Sequence, residues 1–346
     1  MAGTYSRLQD ESQNEEEEEA EEEEEDVEDE SEEEVSLQVD EDGRVCSGQG
    51  PLTQSMTFEP GARVRDAFVA DAALAALRRC AEVAFQARPS KGRYSSGKTF
   101  WAAWGQEPRC ELEALALGIL HCHCPNPAAS AGVEWWTLCL EGDSDVGWHW
   151  DRDYVLEDSG VNIHPMLGTV TYLSGKQPQL STLVLDVLSP TSRDEAPVAL
   201  PAANAQALCT AVPPRAGRHL VFDGRFLHGA PRFAGVEAQG PRRVTFLANI
   251  WVGHKPGNAD PLPKELQRWM EESPQLRTAG AVLSASPKCV QPKEVAAGDT
   301  LASFPLEGGT LSLAPPQDPQ GGGGDVLSYL APVSWMARPG TTEERL

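Results

Sequence analysis

Residues 147–154 read GWHWDRDY, that is Gly147-Trp148-His149-Trp150-Asp151-Arg152-Asp153-Tyr154. In a β-strand, side chains two apart share a face, so His149, Asp151 and Asp153 point one way and Trp148, Trp150 and Arg152 the other. The tryptophans then read as core residues. An imidazole and a carboxylate on one strand face supply two members of a 2-His-1-carboxylate facial triad, which binds Fe(II) on one side and leaves positions open on the other. The third ligand has to come from a later strand. HLVFDGRFLHGAP, residues 219–231, offers an apolar strand, an Asp-Gly turn and His228 just beyond it. PRRVTFLANIW, residues 241–251, then opens a strand with paired arginines, and a planar guanidinium suits bidentate capture of a carboxylate.

These motifs lie within a series of short β-rich runs separated by Gly, Pro and Asp turns. The runs are VEWWTLCL (133–140), GWHWDRDY, GTVTYLS (168–174), STLVLDVL (181–188), HLVFDG (219–224) and RVTFLANIW (243–251). Two helices precede them. In DAFVADAALAALRRCAEVAFQ (66–86), Asp71 stands as N-cap, with Leu74, Leu77, Ala81 and Phe85 on one face. CELEALALGILHCHC (110–124) buries Leu112, Leu115 and Ile119. Helices followed by at least six strands predict an α+β, mainly β, fold: a sandwich or barrel with helical packing outside it. The Pro- and Ala-rich stretch 189–217 reads as a long insertion between strands. LPKELQRWMEES (262–273) is a short amphipathic helix, and beyond about Ala281 the Gly/Pro/Ser composition predicts little fixed structure.

The net charge of −25 over 346 residues is unevenly placed. Residues 1–44 carry 22 of the 53 acidic residues and two basic ones, Arg7 and Arg44, which leaves a body of 31 acids against 26 bases. The acidic run repels itself and has almost nothing apolar to bury, so disorder is expected over residues 1–58, as a solvated spacer or a contact for a basic protein partner. Eight cysteines without framework spacing argue for a reducing compartment, cytoplasmic or nuclear, and an acidic start argues against a transit peptide. There is no span long enough for a bilayer and no nucleic-acid signal. Four potential ligands in a row, His121 to Cys124, cannot all wrap one zinc ion, and no partner pair lies at zinc-finger spacing. His219 lacks the turn context of His228, and His164 and His254 read as surface or loop residues. P-loop, GxGxxG and GxSxG motifs are absent, which removes support for nucleotide hydrolysis, dehydrogenation and serine hydrolysis.

The ordered set of HxD, a distant His and an Arg at the head of a strand resembles the double-stranded β-helix (jelly-roll) oxygenases dependent on Fe(II) and 2-oxoglutarate, particularly the prolyl 4-hydroxylase-like branch. The resemblance covers roughly residues 133–252. TVTYLSGKQPQLSTLVLD (169–186) is similar to the family's strand pair in which a YL strand leads to a Thr-containing strand. With the composition, it divides the chain into three expected regions: by charge an acidic tail over 1–58, by resemblance a dioxygenase domain over 59–280 with a helical lead-in (65–124) and a jelly-roll core (133–253), and by composition a Gly/Pro/Ser-rich tail over 281–346.

It also implies His149, Asp151 and His228 as iron ligands, Arg243 as the clamp on the distal carboxylate of 2-oxoglutarate with Arg242 as runner-up, and Thr182 on the same carboxylate. Arg243 stands fifteen residues after His228, further than the family's usual spacing, with FAGVEAQG (233–240) taking up the excess. The strand before HxD offers Leu140 or Trp136 where many members carry a cosubstrate-contacting tyrosine. The implied reaction consumes O2 and 2-oxoglutarate, with ascorbate as a candidate reductant. It hydroxylates a C-H bond, a protein side chain being favoured over a small molecule, and releases succinate and CO2. The competing expectation is a non-catalytic jelly-roll adaptor that binds basic proteins through its acidic tail.

Overall fold

The structure is a computed structural model that describes residues 38–39, 45–46, 61–88, 99–124, 132–141, 144–157, 162–175, 180–189, 198–199, 206–233, 242–306, 309–317 and 324–337. The expected disorder of residues 1–58 lies almost wholly outside them. Along the chain run β1 (Gln38–Val39), β2 (Val45–Cys46), β3 (Arg63–Asp66), α1 (Asp71–Ala87), β4 (Thr99–Ala103), α2 (Glu111–His123) and β5 (Gly132–Leu140). Then come β6 (Val146–His149), α3 (Tyr154–Glu157), β7 (Leu167–Tyr172), β8 (Thr182–Leu188), β9 (Val198–Ala199), β10 (Gln206–Val212), β11 (His219–Asp223), β12 (Phe226–Ala230) and β13 (Arg243–Trp251). The last are β14 (Ala259–Pro261), α4 (Lys264–Glu272), β15 (Lys288–Val290), β16 (Lys293–Glu294), β17 (Ala302–Leu306), β18 (Gly309–Leu313) and β19 (Leu327–Ala337). No helix among the described residues is long and apolar enough to cross a membrane.

Two large sheets make the architecture mainly β. The first runs β14-β4-β5-β13-β7-β11-β3-β15; the second runs β17-β18-β19-β10-β8-β12-β6, with β9 on β8 and β16 on β19. Strand periodicity assigns the faces. On β13, Val244, Phe246, Ala248 and Ile250 face outward into the cluster formed with Leu77, Ala81 and Phe85 of α1 and Leu112, Leu115 and Ile119 of α2. Arg243, Thr245, Leu247 and Asn249 alternate with them and face the interior. There Val170, Tyr172, Leu220 and Phe222 of the first sheet meet Val184, Val212 and Phe226 of the second.

Three expectations are corrected. The N-cap of α1 is Ala70, and Asp71 is the first helical residue, with no side-chain cap bond; the helix ends at Arg88, whose extended backbone is what the following Pro89 favours. The stretch 189–217 is not all insertion: β10 pairs with both β8 and β19 and lies inside its sheet.

The third correction concerns residues beyond Ala281, which contribute β15 to the first sheet and β16–β19 to the second. Pro332 lies within β19, opposite Gln206, while Leu311, Leu313, Leu327, Tyr329 and Ala331 alternate inward. They pack with Trp148, Trp150, Leu183, Leu185 and Cys209 over the outer face of β6, β8 and β10. Phe304 of β17 stands edge-on to Trp148 of β6 at 6.1 Å and to Phe233 at 5.3 Å, so the second sheet curls until its two ends meet.

Candidate metal centre

β6 is shorter than the sequence suggests, ending at His149, so Asp151 and Asp153 lie on the irregular segment before α3. His149 nevertheless faces His228 directly across the β6–β12 ladder, their ring centroids 4.3 Å apart. His149 Nδ1 lies 2.9 Å from Gly147 O and His228 Nδ1 lies 3.0 Å from Phe226 O. A carbonyl oxygen only accepts, so in both neutral rings Nδ1 carries the hydrogen and Nε2 keeps its lone pair. Those Nε2 atoms turn to Asp151: His228 Nε2 is 3.5 Å from Oδ2 and His149 Nε2 is 3.8 Å from Oδ1. Gly229 permits the approach of the two strands, because a Cβ there would stand 2.8 Å from Gly147 O.

One ligand atom from each of His149, Asp151 and His228 lies within 4.8 Å of the others, a group that could hold a metal ion. The donor set fits Fe(II): two bare imidazole nitrogens and a carboxylate, with Asp151 Oδ1 buried and lacking a hydrogen-bond partner. Burial alone would raise the Asp151 carboxyl, but His228, His149 and a hydrogen bond from Asn249 bring it down to about 2. Burial works against a charged His228, yet Asp151 outweighs it and raises that ring, whereas burial and then His228 push His149 down to about 4.

The segment after the ligands is held from several sides. His164 Nδ1–H donates to Asp151 O at 2.7 Å, and Tyr154 Oη–H to Trp150 O at 3.0 Å. Asp153, 1% exposed, accepts from His254 Nε2 at 2.8 Å, Gly257 N at 3.1 Å and Val155 N at 3.0 Å. His164 and His254 are therefore tied into the site's frame rather than standing as surface residues.

At the head of β13, Arg242 and Arg243 part ways. Arg242 is exposed and pairs with Glu141 at 2.6 Å. Arg243 is 6% exposed, faces the interior, and donates through Nη1 to Leu180 O at 2.8 Å, while its Nε has no partner. No acidic side chain among the described residues pairs with it, and burial lowers the guanidinium's pKa. Thr182 lies two residues beyond Leu180. Tyr172 Oη lies 2.6 Å from Thr182 Oγ1 and 3.2 Å from Val212 O, and its one hydrogen serves one of the two; when it goes to Thr182, the threonine's own proton is left for another acceptor. Between Arg243 and Asn249, Leu247 is the one position of β13 that is not buried, so the interior is open midway along that face.

Sequence reasoning missed Tyr172, Glu134 and Asn249. Glu134 was the only charge in VEWWTLCL and Asn249 the only amide in RVTFLANIW, and a lone polar residue in an apolar strand was the available signal. The His121–Cys124 motif forms no metal group among the described residues. His121 bonds to Leu117 O, and His123 pairs with His219.

No family model and no curated protein matches the chain. Among solved structures the chain is similar to SnoK, a non-heme alpha-ketoglutarate dependent carbocyclase from nogalamycin biosynthesis, with 16% identity, TM-score 0.35, and coverage of 67% of this chain and 92% of that one. It is similar to the non-heme monooxygenase ThoJ in its nickel complex, with 15% identity, TM-score 0.33, and coverage of 57% and 83%. It is also similar to an oxidoreductase of the 2OG-Fe(II) oxygenase family from Burkholderia pseudomallei, with 14% identity, TM-score 0.21 and 38% of this chain covered, and it spans 47% of that protein's length. At these identities and TM-scores the likenesses carry no weight in the functional reading, which rests on the geometry of the site.

Proposed function

We propose that the two sheets form the double-stranded β-helix core of an Fe(II)- and 2-oxoglutarate-dependent dioxygenase that hydroxylates a C-H bond of its substrate. The observation that carries the reading is Arg243, a buried guanidinium with no acidic partner among the described residues, on the interior face of β13, in the same fold as the His149, Asp151 and His228 set. Burying an unpaired cation costs several kcal/mol, and an anionic ligand offsets that cost.

His149, Asp151 and His228 would hold the metal on one side. Arg243 would take the distal carboxylate of 2-oxoglutarate through its planar fork, and Thr182, oriented by Tyr172, would donate its proton to the same group. Bound iron and 2-oxoglutarate supply the oxygen chemistry, in which the cosubstrate is decarboxylated to succinate and CO2 as the substrate is hydroxylated. The protein's part is geometry: the backbone carbonyls of Gly147 and Phe226 fix both rings, and the bonds made by Asp153 and His164 fix the segment that carries Asp151. The sequence resemblance favours a protein side chain as substrate.

The test is an anaerobic titration of metal-free protein with Fe(II) and then 2-oxoglutarate, followed by the visible charge-transfer band of a chelated keto acid. The wild type is expected to give the band, and Arg243→Met to need about 30-fold more cosubstrate, as the loss of a charge-assisted pair worth about 2 kcal/mol implies. A folded wild type that binds Fe(II) without producing the band overturns the assignment.

A further inference from the structure

Beneath the metal site, on the interior face of the first sheet beside β4, lies a chain of buried polar groups that the reading above does not use. Glu134 of β5 and Asn249 of β13 are direct cross-strand partners, each 3% exposed. The Asn249 side chain lies against both the Glu134 and the Asp151 carboxylates. Ionised carboxylates only accept, so it is the amide hydrogens of Asn249 that each of them faces. Glu134 receives two more donors: Thr99 Oγ1–H at 2.7 Å and Trp251 Nε1–H at 2.9 Å. Three donors and no cation surround it, so burial still pushes its pKa up to about 7.

A carboxylate is the only side chain of that size that accepts from all three neighbours. Glutamine has one acceptor oxygen in place of two, so with its N–H turned to the Thr99 hydroxyl, Trp251 and Asn249 would share that oxygen, and leucine would leave buried donors unmatched. The strands around the pair are otherwise apolar, so hydrophobic packing alone does not account for this residue choice.

We propose that Glu134 and Asn249 are positioning residues for the metal centre: Glu134 locks the Asn249 amide, and Asn249 holds the Asp151 carboxylate in the orientation that leaves Oδ1 turned to the metal. The inference rests on reading His149, Asp151 and His228 as a metal centre. Groups that orient a ligand carboxylate without touching the metal tune affinity by about ten- to a hundred-fold.

The test is a titration of the full-length, metal-free protein with Co(II), reading both the dissociation constant and the visible d–d band, alongside thermal unfolding of each variant. Asn249→Ala and Glu134→Gln are each expected to weaken Co(II) binding at least ten-fold and to shift the band. The double variant is expected to be no weaker than Asn249→Ala, because the two residues act in series. Thr99→Val, nearly isosteric, removes one donor to Glu134 and is expected to weaken binding several-fold, which keeps the test open if Asn249→Ala does not fold. Variants that lose thermal stability yet keep wild-type affinity and band, or a double variant whose losses multiply, overturn the positioning role while leaving the metal centre standing. A folded wild type that does not bind Co(II) removes the metal centre and this inference together.

Discussion

His149 and His228 are paired residues of adjacent antiparallel strands, and each ring is pinned by the carbonyl two residues before it in its own chain segment. Metal affinity therefore depends on the distance and register between β6 and β12 as much as on the ligands themselves. Gly229→Ala adds a Cβ that would stand 2.8 Å from Gly147 O, so the strands must part. We expect a loss of about ten- to a hundred-fold in Fe(II) or Co(II) affinity with every ligand still present. His228→Ala should abolish binding under the same titration, and unchanged affinity in Gly229→Ala would show that the ladder does not set the geometry.

Arg243 gives a prediction with opposite signs for stability and binding. A buried cation without a carboxylate partner is a burden on the ligand-free fold, so Arg243→Met should raise the free energy of unfolding by about 1–3 kcal/mol while weakening the cosubstrate complex. Urea unfolding of metal-free protein checks it. A destabilised Arg243→Met would mean that the guanidinium is paired in the free protein, and the clamp would lose its physical argument.

The gathering of His149, Asp151 and His228 followed from two short segments with recognisable context, the HxD spacing and an Asp-Gly turn before His228, although the strand alternation expected to put Asp151 beside His149 fails, since β6 ends at His149. That Arg242 and Arg243 point to opposite faces was legible from strand periodicity, but which of them would clamp a carboxylate was not, because periodicity alone does not say which face is the interior. Glu134 and Asn249 were not, because their pairing is a matter of register between β5 and β13, more than a hundred residues apart in sequence. The final strands were hidden for another reason: the Gly and Pro residues of their turns dominate the composition of a region whose strands each hold only two or three inward-facing residues.

The His123–His219 pair predicts an acid-labile fold. The rings meet Nε2 to Nε2 at 2.9 Å, His219 Nδ1 bonds Thr171 Oγ1 at 2.8 Å, and Phe68 stacks on His219 at 4.0 Å. Burial, with Arg63 and Arg65 nearby, lowers His123 to about 4, and burial holds His219 well below its usual value. The folded state thus keeps both neutral while the unfolded chain takes up protons below pH 6.5. Stability is full above pH 6.5 and falls as pH drops towards 4, by about 1.4 kcal/mol per pH unit for each such histidine. His149 and His164 add to the slope in the metal-free protein. Denaturant titrations at pH 7 and 5 should show His219→Gln losing less stability on acidification than the wild type; an equal loss would rule the pair out as a source.

The C-terminal strands should matter to stability as a core does. Leu313 of β18 is fully buried, so Leu313→Ala should cost about 2–5 kcal/mol, read from the urea midpoint. A cost under about 1 kcal/mol, the range of surface changes, would mean that these strands are loosely docked.

The meeting of Trp148 with Phe304 also imposes an order of events during synthesis. The strand that carries His149 cannot gain its outer cover until β17–β19 have been made, and Phe304 follows Trp148 by 156 residues. At about 5–20 residues per second, a ribosome leaves that face of the ligand strand bare for on the order of 10–30 seconds. A nascent chain halted before β17 would display Trp148, Trp150 and Leu185 to solvent, an apolar surface of the kind that chaperones recognise.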